Sequence, residues 1–477
     1  MADYTSLALF IDGRFRSGEG RVTEPVFNPA TAASLADLPH ATSEDLDDAL
    51  TAAWRAFPSW AATTALERSA IMRRAAGLLR DRIDSIAVVM TLELGKPLAE
   101  SLGELQHAAD IIDWYAEEGR RTYGRVVPSR VQGVRLVVTR EPVGPVAAFT
   151  PWNFPALTPC RKIGGALAAG CTIVIKASEE VPGTAVEIAR AFSDAGLPAG
   201  VLNLVFGDPA TVSTHLIASP LIRKVSFTGS TAIGKHLMKL CADRSKRTTM
   251  ELGGHSPVII FDDVDVEAVA ETAALGKYRN AGQVCVSPTR FFVQEGIHER
   301  FLARFTEVAR NLKVGNGLEN GVQMGPLANP RRVEAMERLV QDALDRGGRI
   351  ETGGKRRGND GWFFEPTVLS SLGDDAMVMT EEPFGPVAPI VSFSDLDEVV
   401  RRANSLPYGL AAYAFSTSAR RVADIGAALK AGMVGINTFA ISQPETPFGG
   451  VGDSGHGAEG GTEGLQAYLD TKLTATA

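Results

Sequence analysis

The sequence has few cysteines and lacks long apolar or basic runs. Its four cysteines, Cys160, Cys171, Cys241 and Cys285, form no C-x-x-C pair and no His-rich spacing. We therefore expect neither a disulfide framework nor a metal site, and a lone reactive thiol fits better. No stretch reaches the roughly 18 apolar residues needed to span a bilayer, and residues 1–15 lack a basic segment followed by an apolar one. We expect a cytoplasmic protein without membrane attachment.

The composition is otherwise that of a globular protein. Hydrophobic residues make up 45% of the chain and charged residues 22%, which excludes wholesale disorder. The 48 Lys and Arg against 56 Asp and Glu give a net charge of -8, so nucleic acid is not an expected partner. The 477 residues predict two to four structural units.

Two patterns of secondary structure follow each other along the chain. Residues 42–118 are predicted to be helical, beginning with Thr42 and Asp45 three positions later, as in a capping box. From there, short apolar runs alternate with helical windows, which predicts a parallel sheet that binds ligands beyond the carboxyl ends of its strands. The predicted strands are 143–149, 171–176, 201–205, 223–227 and 257–261, and the helices lie near 160–169, 182–195, 209–218 and 231–242.

The remaining segments predict a second unit and a protruding hairpin. Residues 262–430 repeat the alternation and indicate a second α/β domain. Residues 123–141 are rich in β-branched residues and arginine, as in an exposed hairpin whose edges need a partner. The tail 465–477 is a candidate complement in a neighbouring subunit, which makes a homo-oligomer a reasonable hypothesis.

Four short segments carry residues suited to chemistry. Cys285 follows Ala-Gly-Gln in a turn of small residues that can present sulfur to a cleft, and Glu251 precedes two glycines. Asn153 lies in the proline-fixed loop TPWNFP, where its amide could stabilise an oxyanion. Gly229 and Gly234 open a helix after a strand, where backbone can approach a phosphate, although their spacing is neither the GxGxxG fingerprint nor a P-loop. Each segment taken alone also fits a purely structural role.

Together these segments resemble the aldehyde dehydrogenase superfamily. TPWNFP, IKASE, FTGS, MELGG, GQVC, EEPFGPV and PFGGVGDSG occur in the family's order over nearly the whole chain. The resemblance implies an α/β fold with a Rossmann-type cofactor domain, a second α/β catalytic domain and a small β hairpin for oligomerisation. It implies an NAD-binding domain of residues 1–122 and 142–252, a catalytic domain of 253–440, and bridging segments 123–141 and 441–477. Members form dimers or tetramers.

The resemblance also implies a reaction on a small-molecule aldehyde. The Cys285 thiolate attacks the carbonyl, and the Asn153 amide and the backbone N–H of Cys285 hold the oxyanion. Hydride passes to the nicotinamide, and Glu251 activates the water that hydrolyses the thioester. Glu459 matches a family glutamate suspected of relaying protons, but Ala458 stands before it where the family usually has Arg, which changes the local ion pairing.

A further set of positions matches the family's cofactor contacts. Lys176 and Glu179 are implied to hold the adenosine ribose, and Glu179 would repel a 2'-phosphate, which favours NAD over NADP. Phe384 has core packing as its alternative role. The implied cofactor-binding residues are Thr150, Trp152, Lys176, Ser178, Glu179, Gly229, Ser230, Gly234, Glu382 and Phe384.

Three polar residues address the choice of aldehyde. Arg161, Arg279 and Ser442 match positions at which succinate semialdehyde dehydrogenases hold the distal carboxylate, and two guanidinium groups with a hydroxyl suit that task. Succinate semialdehyde is the first candidate, with glutarate or 2-oxoglutarate semialdehyde and broad specificity as alternatives. A CoA-acylating enzyme needs no hydrolytic base, so Glu251 counts against it, and the intact set of residues counts against a non-catalytic relative. Ser287 stands where some relatives carry a second Cys, so their disulfide switch is not available.

Overall fold

The computed structural model describes residues 4–477, in which two α/β units are followed by a short C-terminal segment. The strands of the first unit and its hairpin are β1 (Leu9–Ile11), β2 (Arg14–Arg16), β3 (Thr23–Phe27), β4 (Ser34–Pro39), β5 (Arg125–Val127), β6 (Arg135–Pro142), β7 (Val146–Phe149), β8 (Ile173–Lys176), β9 (Leu202–Val205), β10 (Lys224–Thr228) and β11 (Arg247–Glu251). Its helices are α1 (Ser43–Ala62), α2 (Ala65–Asp81), α3 (Ile83–Leu94), α4 (Leu98–Glu118), α5 (Leu157–Ala169), α6 (Pro182–Asp194), α7 (Pro209–Ala218) and α8 (Thr231–Ala242).

The second unit and the C-terminal segment complete the chain. The strands of the second unit are β12 (Ser256–Ile260), β13 (Pro288–Gln294), β14 (Arg349–Thr352), β15 (Thr367–Ser370), β16 (Val387–Phe393), β17 (Tyr408–Gly409), β18 (Ala411–Phe415) and β19 (Met433–Ile436). Its helices are α9 (Val266–Tyr278), α10 (His298–Asn311), α11 (Pro330–Asp345), α12 (Met377–Thr380), α13 (Leu396–Ala403) and α14 (Ala419–Ala428). The C-terminal segment contains β20 (Val451–Gly452), β21 (Gly455–His456), α15 (Gly461–Gln466) and β22 (Leu469–Thr476).

The helical prediction for residues 42–118 is confirmed as α1 to α4. Thr42 accepts a hydrogen bond from the backbone N–H of Asp45, whose carboxylate accepts one in return from the backbone of Thr42. Thr64 and Glu67 form the same reciprocal pair at the start of α2. These pairs satisfy backbone N–H groups that the first turn of a helix leaves without partners.

The first large sheet has the order β2-β1-β9-β8-β7-β10-β11-β21, and β9, β8, β7, β10 and β11 run parallel. The chain runs from β7 outward through β8 and β9, then returns to the other side of β7 with β10 and β11. The order therefore reverses between β7 and β10, the place at which open α/β sheets bind ligands.

One strand assignment in this region is wrong. The apolar run predicted at 257–261 forms β12, but β12 belongs to the second sheet, which has the order β14-β15-β16-β13-β12-β18-β19. The position in the first sheet is taken by β11, whose sequence RTTME is too polar to be recognised as a buried strand. The two sheets have separate hydrophobic cores, and the chain leaves the first sheet after Glu251 and enters the second at Ser256.

The protruding hairpin is present as β5 and β6, but its partner differs from the prediction. The tail strand β22 pairs antiparallel with β6 of the same chain, from Leu469 opposite Pro142 to Thr476 opposite Arg135. The tail therefore pairs with the hairpin of its own chain. Within residues 4–477, no helix is long and apolar enough to cross a membrane.

Candidate active site

A cavity of about 450 Å³ lies where the first sheet faces the second unit. It opens at the carboxyl ends of β7, β10 and β11, because the residues that follow β7 and β10 and the last residue of β11 all line it. Eleven of the residues singled out from the sequence line this cavity: Trp152, Asn153, Arg161, Gly229, Ser230, Glu251, Arg279, Cys285, Glu382, Phe384 and Ser442.

Cys285 is presented to the cavity by an unusual turn. Asn280, Ala281 and Gly282 have φ values of 48°, 53° and 73°, so three successive residues adopt the left-handed conformation that costs a non-glycine residue roughly 1–2 kcal/mol. A Cβ on Gly282 would lie 2.2 Å from the carbonyl oxygen of Gly385, so only glycine fits. Cys285 is half-buried while the other three cysteines are buried, in agreement with a single accessible thiol.

The thiol of Cys285 is held protonated by its surroundings. Burial, followed by the negative charges of Glu251 and Glu382, raises the pKa of Cys285 well above its usual range, while Arg161 acts in the opposite direction. A thiolate is the nucleophilic form, so this thiol has to lose its proton to a base for a reaction at sulfur.

The loop after β7 is fixed to the turn that carries the cysteine. The side-chain Nδ2 of Asn153 donates to the carbonyl oxygen of Gln283 at 3.1 Å. The backbone oxygen of Asn153 accepts from Lys96 Nζ at 3.1 Å and from Asn280 Nδ2 at 3.0 Å. An amide nitrogen has two N–H groups, so one donor of Asn153 remains for an oxygen that forms beside Cys285.

Glu251 is the last residue of β11 and lies next to Thr228 at the end of β10. Its Oε2 accepts from the Thr228 hydroxyl at 3.3 Å, and its Oε1 is buried without a hydrogen-bond partner in the described part of the chain. Burial, and then repulsion from Glu459, raises the pKa of Glu251 to about 8. A buried carboxylate with an unpaired oxygen and a raised pKa is suited to accepting a proton.

A buried ion pair lies behind Glu251. Oε1 of Glu459 accepts from Lys162 Nζ at 2.5 Å and from the Ser226 hydroxyl at 3.3 Å. Ala458 stands where the family usually has Arg, and in this chain the neighbouring Glu459 forms an ion pair with Lys162 from α5. Lys162 directly follows Arg161 in the sequence and was not singled out, because a lysine in an apolar helix carries no motif of its own.

One end of the cavity carries several of the residues implied to hold the nucleotide cofactor. Ser230 precedes α8 and, among the described residues, its side chain does not cap that helix, so first-turn N–H groups remain available beside the cavity. Glu382 Oε1 accepts from the backbone N–H of Gly254 at 3.2 Å, and burial raises the pKa of Glu382 to about 7. The Trp152 and Phe384 rings pack edge to face, with their centroids 5.4 Å apart.

Phe384 is held in a strained backbone conformation. Its φ is 44°, and Arg332 donates to the carbonyl oxygens of Pro383 and of Phe384 itself, the latter at 3.1 Å. A bulky residue at positive φ needs such support from its surroundings. Arg332, which also lines the cavity, was missed from the sequence because it lies in a loop-to-helix segment without a recognisable motif.

The other predicted cofactor residues do not line this cavity. The backbone N–H of Thr150 bonds to the Lys176 carbonyl at 3.2 Å, and Lys176 Nζ forms an ion pair with Glu179. The hydroxyl of Ser178 donates to Glu180 at 2.5 Å. Gly234 packs against Leu252, where a Cβ would lie 2.3 Å from a methyl carbon. This contact accounts for Gly234 through close packing of α8, without a cofactor.

The opposite end of the cavity is cationic. Arg161 is 3% exposed, and its Nη2 donates to the Ser442 hydroxyl at 2.9 Å. Its guanidinium lies 4.4 Å from the centroid of the Phe448 ring, and that of Arg279 lies 5.5 Å from the Phe154 ring. Arg279 is exposed at the rim while Arg161 is buried inside, so only Arg161 forms a desolvated positive site.

The chain was compared with known proteins. The sequence profile described as "Aldehyde dehydrogenase family" matches residues 15–474. This chain belongs to the aldehyde dehydrogenase family. Such enzymes oxidise aldehydes with NAD or NADP.

Individual aldehyde dehydrogenases resemble the chain over almost its full length. It is 44% identical to the NADP-dependent succinate-semialdehyde dehydrogenase of Escherichia coli (97% of this chain, 96% of that one) and 44% identical to a 3-sulfolactaldehyde dehydrogenase of Pseudomonas putida (97% and 95%). It is 43% identical to a glutarate-semialdehyde dehydrogenase of P. putida (97% and 96%). The crystal structure of a succinate-semialdehyde dehydrogenase from Burkholderia pseudomallei superimposes with a TM-score of 0.97 at 44% identity, covering 99% of this chain and 98% of that one.

Proposed function

We propose that this aldehyde dehydrogenase oxidises an aldehyde that carries an anionic group at its far end, with succinate semialdehyde as the first candidate. The observation that carries the proposal is Arg161, a buried guanidinium that bonds to Ser442 in the same cavity as Cys285. A buried positive charge in a substrate cavity is costly unless an anion pairs with it. A neutral alkyl aldehyde offers no anion to that charge.

The proposed reaction uses the residues in a fixed order. Glu251 takes the proton of the Cys285 thiol and passes it to solvent, while the sulfur bonds to the aldehyde carbon. The carbonyl oxygen becomes an oxyanion held by Asn153 and by the Cys285 backbone N–H. A nicotinamide nucleotide, when bound, would accept the hydride of this adduct, which leaves a thioester on Cys285. Glu251 then takes a proton from water, the hydroxide breaks the carbon–sulfur bond, and Cys285 is restored.

Substrates with a longer chain or a different acid group are the second candidates. The relatives named for glutarate semialdehyde and 3-sulfolactaldehyde support a longer carboxylate and a sulfonate as second candidates. Both anions accept hydrogen bonds from a guanidinium and a hydroxyl, so Arg161 and Ser442 suit either. 2-Oxoglutarate semialdehyde fits the same positive site.

We propose NAD as the preferred cofactor. Glu179 follows β8 and is paired with Lys176, so the strand end that is implied to hold the adenosine ribose carries a carboxylate. A carboxylate accepts hydrogen bonds from ribose hydroxyls and repels a 2'-phosphate. The E. coli relative is named for NADP, so the preference has to be measured and is not transferred from that relative.

Initial rates of reduced nucleotide formation test these proposals. Succinate semialdehyde, glutarate semialdehyde and butanal are compared with NAD and with NADP, butanal being the control of similar length without an acid group. We expect kcat/KM about a hundredfold higher for a semialdehyde than for butanal, equivalent to about 2.7 kcal/mol. If butanal is turned over as well as the semialdehydes, the proposed anion site is refuted, while the assignment as an aldehyde dehydrogenase is unaffected.

We further propose a homo-oligomer, a dimer or a tetramer, that uses the β5-β6-β22 sheet. Tyr123 beside this sheet and Val126 and Leu473 within it are 76%, 63% and 61% exposed, and the outer edges of β5 and β22 have no partner strand within residues 4–477. Such an edge pairs readily with another chain. Light scattering on Leu473→Asp tests this: a smaller assembly supports the proposal, and an unchanged mass refutes it.

A further inference from the structure

The loop between β8 and α6 carries two neighbouring carboxylates, and only Glu179 has been given a role. Glu180 is the better connected of the two. Its Oε2 accepts from the Ser178 hydroxyl at 2.5 Å, and its Oε1 accepts from Arg331 Nη2 at 3.0 Å and from Asn329 Nδ2 at 3.5 Å. Its side chain is 17% exposed, which makes it a nearly buried acid close to the predicted ribose site.

These contacts join the two units of the fold. Glu180 lies just before α6 in the first unit, whereas Asn329 is the N-cap residue of α11 in the second. Asn329 and Arg331 both line the cavity. Glu180 therefore fixes the β8–α6 loop to α11 across the cleft. Burial and the adjacent charge of Glu179 raise the pKa of Glu180, in agreement with two carboxylates that lie close together.

The same contacts occupy the donors that a 2'-phosphate requires. A phosphate at this place needs cations or hydroxyl donors to offset its charge. Lys176 is paired with Glu179, and the Ser178 hydroxyl points to Glu180. The loop thus presents two carboxylates, while its own cation and its own hydroxyl are already engaged.

We propose that Glu180 is a second specificity-determining residue, which acts with Glu179 to exclude the 2'-phosphate of NADP and holds the loop against α11. This inference rests on the proposed function in one respect, the location of the adenosine ribose beside Lys176 and Glu179. It predicts that replacing Glu179 alone leaves a strong barrier to NADP, because the second charge and the bound Ser178 hydroxyl remain.

The test measures binding of NADH and NADPH by their fluorescence, which needs no aldehyde turnover. Variants are Glu179→Ser, Glu180→Gln and the double variant, with Asp194→Asn at the far end of α6 as a matched loss of one carboxylate. We expect each single variant to improve NADPH affinity less than about tenfold. The double variant should improve it by more than the product of the two single-variant gains, because the two carboxylates share one site. Glu180→Ser serves as a second variant should Glu180→Gln lower the melting temperature.

The link across the cleft has its own readout. Arg331→Gln keeps both carboxylates but removes the cation paired with Glu180, so we expect faster dissociation of NADH and no gain in NADPH affinity. The inference is overturned if Glu179→Ser alone gives the full gain in NADPH affinity, or if Glu180→Gln changes nothing in either background. Tight, selective nucleotide binding without oxidation of any semialdehyde would instead refute the proposed function and leave the role of Glu180 intact.

Discussion

The pH dependence of thioester hydrolysis is the sharpest expectation from the buried carboxylates. Burial and, next, the charge of Glu459 raise the pKa of Glu251 to about 8, while Arg161 and Lys162 lower it. Glu251 acts as a base only when it is deprotonated. Glu459→Gln removes the repelling charge while keeping the shape of the side chain. We therefore expect the pKa of Glu251 to fall and the rate of thioester hydrolysis at neutral pH to rise.

The magnitude follows from the titration of one group. With a pKa of about 8, roughly one-tenth of Glu251 is deprotonated at pH 7. A fall of about one unit, which is about 1.4 kcal/mol, would raise this fraction to roughly one-half, a gain of about fivefold. The direction follows from the charge of Glu459, which affects the pKa of Glu251 more than the charge of Lys162 does.

The assay is rapid mixing with saturating semialdehyde and NAD between pH 6 and 10. A first burst of NADH reports the steps up to the thioester, and the slower phase after it reports hydrolysis. We expect the acidic limb of the slower phase to move to lower pH in Glu459→Gln, with Glu463→Gln on α15 as the exposed control. An unchanged limb, or one displaced to higher pH in a variant that retains its melting temperature, would refute the reasoning.

Three further variants address the oxyanion donor, the turn before Cys285 and the anion site. Asn153→Ala should lower kcat by roughly 10²–10³-fold because an oxyanion donor is lost, with NADH affinity by fluorescence unchanged; a loss under tenfold contradicts this role. Gly282→Ala should lower both kcat and the melting temperature, since the added Cβ would lie 2.2 Å from Gly385 oxygen at a φ of 73°; wild-type values for both would show that the turn tolerates a side chain. Arg161→Met should lower kcat/KM for succinate semialdehyde by roughly a hundredfold, the loss of one to two charge-assisted bonds, with butanal changed less than threefold; equal losses for both substrates would make Arg161 structural.

Much of the fold could be predicted from the sequence because local patterns determine it. The capping pair at Thr42 and the apolar runs that became β7 to β10 are recognisable in isolation. β11 was missed because its side chains are polar and its burial comes from β10 and β21 on either side. The placement of β12 in the second sheet depends on long-range pairing with β13 and β18, which periodicity does not encode.

The residues of the site also divide into those that the sequence predicts and those that it does not. Cys285, Glu251 and Asn153 lie in short ordered motifs, and the structure brings them to one cavity. Glu180 and Lys162 lack a motif, since their importance comes from partners 151 and 297 positions away in the chain. Separations of that size give no local periodicity from which the contacts could be inferred.

The C-terminal segment has a consequence for how the enzyme matures during synthesis. Residues 441–476 supply β21 to the first sheet, β22 to the hairpin sheet, and Ser442 and Glu459 to the interior around the cavity. A nascent chain that has emerged only to residue 440 therefore carries Cys285 in a cleft whose anion-binding end is unbuilt. Without residues 441–476, Arg161 lacks Ser442 and Lys162 lacks Glu459, so the site is complete only after this segment has folded onto both units.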